Sequence, residues 1–237
     1  MELTILMPCL NEEKTIKKCI QKANHFMQVN HIEGEVLVAD NGSSDDSVSC
    51  AKACGARVVR VSSRGYGSAL IEGNKQAKGR YIIMGDSDDS YNFEEILPFL
   101  EELRAGKEFV IGNRFQGGIE KGAMPLLHKY IGNPFLSFMG RKLYKCNIGD
   151  FHCGLRGYEK KAVESLNLKC TGMEMASEMV IRAVQYNLKI AEVPVRLYKD
   201  GRSGRSHLRS FRDGARHFYI LMTHRGKRSE QTEEMVK

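Results

Sequence analysis

The segment GDSDDSY (residues 85–91) places the carboxylates of Asp86, Asp88 and Asp89 within four positions. It directly follows YIIM, an apolar run typical of a buried strand. Closely spaced carboxylates repel one another unless a cation neutralises them. The alternation of Asp86 and Asp88 suits one divalent metal held together with a diphosphate, rather than a metal enclosed by protein ligands alone. A solvated turn is the alternative for this segment, because Asp and Ser are common turn residues.

Polar residues also end three other apolar runs in the first half of the chain. They are Asn11 and Glu12 after LTILMP (3–8), Asp40 and Asn41 at the end of EVLVAD (35–40), and Asn113 and Arg114 at the end of EFVIGNR (108–114). Helix patterns separate these runs, and this alternation predicts an α/β fold with a mostly parallel central sheet and helices on both faces. Ligands of such sheets bind at the carboxyl ends of the strands, so we expect a binding site there.

The remaining elements follow from hydrophobic periodicity and from glycine and proline positions. The first half predicts further strands over 56–62 and 80–86. It predicts helices over 14–28, from the N-cap candidates Ser43 and Ser44 to a stop at Gly55, over 66–79 and from Pro98 onward. The second half predicts a Gly-rich loop (115–125), a helix (126–145), a loop entering a strand (149–158), a helix (172–187), a strand (189–199) and a helix (207–222). We expect one domain over 1–222 and a basic, polar tail over 223–237.

Positive charge is concentrated near the C-terminal end. Residues 196–228 hold ten Lys or Arg against Asp200 and Asp213, a local charge of +8, so the rest of the chain carries about −1 of the net +7. A polyanionic partner, whether a phosphate compound, a nucleic acid or an anionic membrane, should meet this end. We expect no nucleic acid, because the segment lacks interleaved aromatic residues and any standard binding motif.

The cysteines and the apolar runs bear on the cell compartment. The seven cysteines include no CxxC pair, which favours reduced thiols in the cytoplasm over zinc ligands or disulfides. No stretch reaches the roughly 18 apolar residues that span a bilayer, and the N-terminus lacks the basic region of a signal peptide. We therefore expect a cytoplasmic protein.

Four motifs occur in order at the ends of successive strands: LMPCLNEEKTI, VLVADNGSSDDS, GDSDD and VIGNRFQGG. Together they resemble the family 2 glycosyltransferases of the GT-A fold, and most closely the dolichyl-phosphate mannose and glucose synthase group. The matches HKYIGNP, DFHCGLRGYEKKAV, TGMEMASEM, IAEVPV and RSGRSHLRSFRDG extend the resemblance over roughly residues 3–222. It implies a Rossmann-like GT-A sheet with a nucleotide-binding half at about 1–114 and an acceptor half at about 115–222.

The resemblance implies how a nucleotide-sugar donor is bound. Pro8, Asn11 and Glu12 would border the base and ribose, Asp40 would bond the base, and Arg202 would close over the diphosphate. Asp86 and Asp88 would form the aspartate-x-aspartate motif that holds Mg²⁺ or Mn²⁺, with Asp88 the main ligand and Asp86 nearer the ribose. Ser90 occupies the position where related enzymes often place a glutamine ligand, so Ser90 or a water would complete the metal shell.

The same resemblance implies a lipid-phosphate acceptor. Arg114 would bind its phosphate. His128 and Lys129 lie near the position where relatives carry a second basic contact to the acceptor, and a surface salt bridge is an equal alternative for these two residues. An ionised phosphate can attack the anomeric carbon without a strong base. An acceptor hydroxyl would need one, and Asp150 is then the candidate.

We therefore expect an inverting hexosyltransferase that uses a UDP-sugar, with GDP-mannose as the alternative, and a polyprenyl or dolichyl phosphate. The second possibility is the same donor chemistry on a soluble or glycan hydroxyl. A nucleic-acid-binding protein is a remote third, since it leaves the strand-end carboxylates unexplained. The basic segment 207–228 is either an ordinary solvated helix or a peripheral contact with the inner face of an anionic membrane.

Overall fold

The protein folds around one seven-stranded sheet in the computed structural model, which describes residues 1–202 and 210–224. The strands are β1 (Leu3–Cys9), β2 (Gly34–Asp40), β3 (Arg57–Arg60), β4 (Tyr81–Met84), β5 (Phe109–Asn113), β6 (Arg156–Glu159) and β7 (Ile190–Pro194). The helices are α1 (Ile16–Val29), α2 (Ser47–Ala53), α3 (Tyr66–Gln76), α4 (Leu97–Arg104), α5 (Arg114–Gly117), α6 (Asn133–Tyr144), α7 (Lys160–Ser165), α8 (Met175–Gln185) and α9 (Ser210–Thr223). No helix in these ranges is long and apolar enough to cross a membrane.

The strand order is β3-β2-β1-β4-β6-β5-β7, and only β6 runs antiparallel to its neighbours. The predicted mostly parallel α/β sheet is therefore confirmed. The chain moves outward from β1 through β2 to β3 and then returns to place β4 on the other side of β1. Such a reversal of strand order opens a crevice beyond the carboxyl ends, where α/β proteins bind ligands.

The central strands are buried on both faces, which explains their continuous apolar runs. All seven residues of β1 and all four of β4 are buried. Helix α3 lies close against this sheet because Gly73 has no side chain. A Cβ there would lie 2.5 Å from Leu6 Cδ1 and 3.2 Å from Ala39 Cβ, too close for van der Waals contact.

The predicted elements are present, with bounds that differ at their ends and with two additions. A 3₁₀ turn at Phe93–Glu95, capped by the Asn92 side chain, precedes α4, in which Pro98 occupies the first turn. The helix expected over 126–145 is a π-helical turn, His128–Gly132, continued by α6. The short helices α5 and α7 were not predicted, because segments of four to six residues carry no helical periodicity. Positions 207–209 of the last predicted helix and 225–237 of the tail lie outside the described residues.

Candidate active site

A cavity of about 1080 Å³ lies at the carboxyl edge of the sheet. Eight of the predicted site residues line it: Pro8, Glu12, Asp86, Asp88, Ser90, Arg114, His128 and Arg202. Four others, namely Asn11, Asp40, Lys129 and Asp150, are not among its lining residues. The β-strand ends and the second half of the chain thus meet around one space, large enough for a nucleotide-sugar.

Asp86 and Asp88 face this cavity from the turn after β4. Tyr66 donates a hydrogen bond from its hydroxyl to Asp86 Oδ1 at 3.0 Å, and the Ser90 backbone nitrogen donates to Asp88 Oδ1 at 3.0 Å. Burial, reinforced by the charge of Asp88, raises the pKa of Asp86 to about 6. Asp89 has a φ of 63° and turns away to the Lys18 and Lys22 ammoniums, as expected for a residue that is not a ligand.

Arg202 joins the acidic groups of the cavity. Its Nη2 donates to Asp88 Oδ2 at 2.7 Å, and its Nη1 donates to Glu12 Oε1 at 3.2 Å. Its Nε is buried and has no hydrogen-bond partner among the described groups. Burial raises the pKa of Glu12 to about 7, and the charge of the nearby Arg202 partly opposes this shift. One arginine thus pairs with several carboxylates.

These residues fit a hard divalent cation. Asp86 and Asp88 offer only oxygen ligands, the type preferred by Mg²⁺ and Mn²⁺. In the described part of the chain no group of three or more His, Cys, Asp or Glu side chains could hold a metal, so a ligand or water would supply the other oxygens. The Arg202 guanidinium beside Asp88 is a cation that would suit such a ligand if it carries phosphate.

Arg114, which also lines the cavity, is bound to Asp150. The Arg114 Nε and Nη2 donate to Asp150 Oδ2 and Oδ1 at 2.6 and 2.8 Å, and both side chains are buried. Within the described residues Nη1 makes no hydrogen bond, so one edge of the guanidinium is free for a ligand. Arg114 itself begins the short helix α5, whose first turn is capped by the Asn113 side chain through the Phe115 and Gln116 nitrogens.

The predicted residues that do not line the cavity have other partners. Asp40 accepts a hydrogen bond from the Ser43 nitrogen, and its neighbour Asn41 lines the cavity instead. Asn11, with a φ of 56°, accepts from the Ser44 nitrogen at 2.8 Å. Lys129 places its ammonium 5.5 Å from the centre of the Tyr130 ring.

The structure adds cavity residues that the sequence did not single out, among them Tyr66, His152 and His217. His152 Nε2 and His217 Nδ1 both bond Ser177 Oγ, at 3.0 and 2.8 Å. Burial lowers the pKa of His152 well below its usual value and that of His217 to about 4. The only sequence signal for His152 is its place in the segment DFHCGLRGYEKKAV. Nothing in the sequence links it to His217 in α9, 65 positions later.

Comparison with known proteins identifies the class of protein. The family model "Glycosyl transferase family 2" matches residues 4–166, which is more than half of the chain. The chain belongs to this family of enzymes, and the predicted resemblance to its dolichyl-phosphate sugar transferase group is confirmed by the relatives below.

Two relatives come from Haloferax volcanii. The low-salt glycan biosynthesis hexosyltransferase Agl6 is 38% identical over 221 residues, covering 93% of this chain and 53% of its own length. A dolichyl-phosphate hexose transferase is 30% identical over 215 residues, covering 90% of each chain. This chain therefore spans about half the length of Agl6 and nearly all of the second relative.

The fold is shared with solved GT-A enzymes. Glucosyl-3-phosphoglycerate synthase from Mycobacterium tuberculosis, crystallised with Mn²⁺, UDP and phosphoglyceric acid, superposes with a TM-score of 0.72. The match covers 95% of this chain and 78% of that one at 21% identity. The predicted GT-A fold is thus confirmed.

Proposed function

We propose that this domain transfers a hexose from a nucleotide-sugar to the phosphate of a polyprenyl or dolichyl phosphate, with inversion at the anomeric carbon. The donor's diphosphate would lie against Asp86, Asp88 and Arg202, and the acceptor's phosphate against Arg114. A bound Mg²⁺ or Mn²⁺ would neutralise the charge that develops on the leaving diphosphate. The names of two relatives support this acceptor, a dolichyl-phosphate hexose transferase and a Methanococcus voltae enzyme that uses UDP-N-acetylglucosamine and dolichyl phosphate.

The pairing of Arg114 with Asp150 is the observation that carries the proposal. Both oxygens of Asp150 accept hydrogen bonds from Arg114, and the carboxylate is fully buried. The same oxygens also accept from the Arg114 and His152 backbone nitrogens, at 3.3 and 3.2 Å, so no lone pair remains for an acceptor hydroxyl, which a general base requires. A phosphate monoester, with its second pKa near 6, is already ionised at neutral pH and needs no such base. This geometry favours the phosphate acceptor over the hydroxyl.

The donor chemistry is assigned to residues at the ends of β1, β2 and β4, together with Arg202 from the second half. Arg202 provides a cation for the leaving diphosphate, while Glu12 and Asp88 hold it in place. Pro8 and Asn41 line the part of the cavity next to β1 and β2, where a base and ribose would lie. A UDP-sugar is favoured, because the named complexes and the Methanococcus relative use UDP. GDP-mannose is the alternative.

The test is nucleoside diphosphate release from a panel of nucleotide-sugars, with Mg²⁺ or Mn²⁺, in the presence and absence of a short-chain polyprenyl phosphate. We expect release that requires the lipid phosphate and is lost in Asp88→Asn. Glu101→Gln, an exposed carboxylate on α4, is the matched control and should keep full activity. Transfer to a sugar hydroxyl without any response to lipid phosphate would refute the proposed acceptor.

A further inference from the structure

Large apolar side chains are exposed along the segment that leads into α6. Six of them, Leu126, Leu127, Tyr130, Ile131, Phe135 and Phe138, are between 48% and 73% exposed and are called the apolar face below. The other side of the helix packs inward, where a Cβ on Gly140 would lie 2.5 Å from the Phe151 ring. Soluble surfaces seldom expose apolar residues in such a group without a partner.

The charged residues of the segment that carries the apolar face are all of one sign. Residues 121–149 contain no Asp or Glu, and hold Lys121, Lys129, Arg141, Lys142 and Lys145. The Lys129 ammonium lies 5.5 Å from the Tyr130 ring centre and that of Lys142 lies 5.8 Å from the Phe138 ring centre. Each ammonium thus lies over an aromatic ring of the apolar face, so positive charge borders the apolar side chains, an arrangement suited to anionic headgroups above an apolar layer.

The apolar face is continuous with the active-site cavity. Leu127 and Ile131 are exposed and also line the cavity, so the cavity reaches the surface between them and the neighbouring His128. The same cavity contains Arg114. A polyprenyl chain could therefore remain among lipid tails while its phosphate reaches the guanidinium.

We propose that the apolar face docks on a bilayer that contains anionic lipids, with the cavity opening toward the membrane. This places the docking surface on residues 126–138. It adds to the basic segment 207–228, which the sequence suggested as a peripheral membrane contact. The path of the acceptor into the cavity rests on the proposed function. The docking itself does not, because it follows from exposure and charge alone.

The test is flotation with phosphatidylcholine vesicles, with and without phosphatidylglycerol, and with no acceptor or donor present. We expect the wild type to bind the anionic vesicles, and the double variant Leu126→Ser/Tyr130→Ser to bind at least roughly tenfold more weakly, since two large side chains lose their burial in lipid. Val29→Ser, which removes a 59% exposed residue from the far end of α1, is the matched control and should bind as the wild type does.

Retention of UDP binding by the double variant shows that it is folded, because neither substituted residue lines the cavity. Absence of wild-type binding to both vesicle types would overturn the proposal, as would equal binding by the double variant. The proposal would also be overturned if the wild type were a dimer that binds no vesicles and the double variant were a monomer, since the apolar face would then join two copies of the chain. Failure of donor turnover alone would count against the proposed function and leave the docking result intact.

Discussion

At the scale of single residues, the buried ion pair between Arg114 and Asp150 has two consequences. The pair fixes the guanidinium plane, because two nitrogens bind two carboxylate oxygens at 2.6 and 2.8 Å. It also compensates a charge that burial would otherwise make costly. We therefore propose that Asp150 positions Arg114 rather than acting as a base.

Asp150→Asn should destabilise the protein and weaken acceptor binding together. Removing one charge of a buried pair leaves the other uncompensated, which typically costs about 3–5 kcal/mol. We expect a lower free energy of unfolding in urea and a higher KM for the polyprenyl phosphate, with UDP affinity unchanged. A fall in kcat with no change in stability or in acceptor KM would instead indicate a base.

At the scale of elements, α6 and α9 differ in how closely their glycines approach other groups. Gly140 in α6 lies against the Phe151 ring, whereas a Cβ on Gly214 in α9 would meet nothing within 4 Å. Gly140 is therefore required for packing. Gly214 only lowers the helix propensity of an α-helical position.

Gly140→Ala and Gly214→Ala should consequently change stability in opposite directions. Overpacking against Phe151 is expected to cost about 1–3 kcal/mol, while the α9 substitution should stabilise by up to about 1 kcal/mol. Urea unfolding of the two variants and the wild type measures both effects. Equal destabilisation by the two substitutions would contradict this account of α6 packing.

Helix α9 is also tied to α8 and to the 150–156 loop by the His152–Ser177–His217 bonds. His217 is buried and neutral, with a folded pKa of about 4 against about 6.5 when unfolded. The unfolded chain therefore binds more protons between these values, and the stability that neutral His217 contributes is lost as the pH falls from 6.5 to 4.

The wild type should thus lose stability relative to His217→Gln on acidification, by up to about 1.4 kcal/mol per pH unit in that window. The difference between the two proteins is the quantity to measure, because Glu12 and Asp86, with raised pKa values, act in the opposite direction in both. Urea unfolding at pH 7, 6 and 5 provides it. A difference that stays constant with pH would show that His217 does not titrate as described.

At the scale of the whole molecule, the sheet and the location of its site follow from local sequence patterns. Continuous apolar runs indicate buried strands, and polar residues directly after them must then gather at one edge. The position of Asp86 and Asp88 in the cavity could be predicted in this way. Contacts between distant positions could not, because no spacing rule links Arg202 to Glu12 or Arg114 to Asp150.

Two further features lie beyond what a sequence pattern can predict. The segment RGYE was expected to be part of a strand, but its antiparallel insertion between β4 and β5 depends on the whole topology. The period of the 126–145 segment predicts a helix without indicating which face is left exposed, since amphipathic patterns look alike whether they bury a face in protein or in lipid.

The insertion of β6 also determines when the sheet can be completed during synthesis on the ribosome. Strand β4 and strand β5 never pair with each other, because β6 lies between them. Until residues 156–159 have emerged, the nascent chain carries an open, apolar β4 edge, YIIM, with no partner on that side. A fragment of residues 1–114 should therefore aggregate when expressed alone, while one of residues 1–202 should remain more soluble, and sedimentation of freshly lysed cells would compare the two.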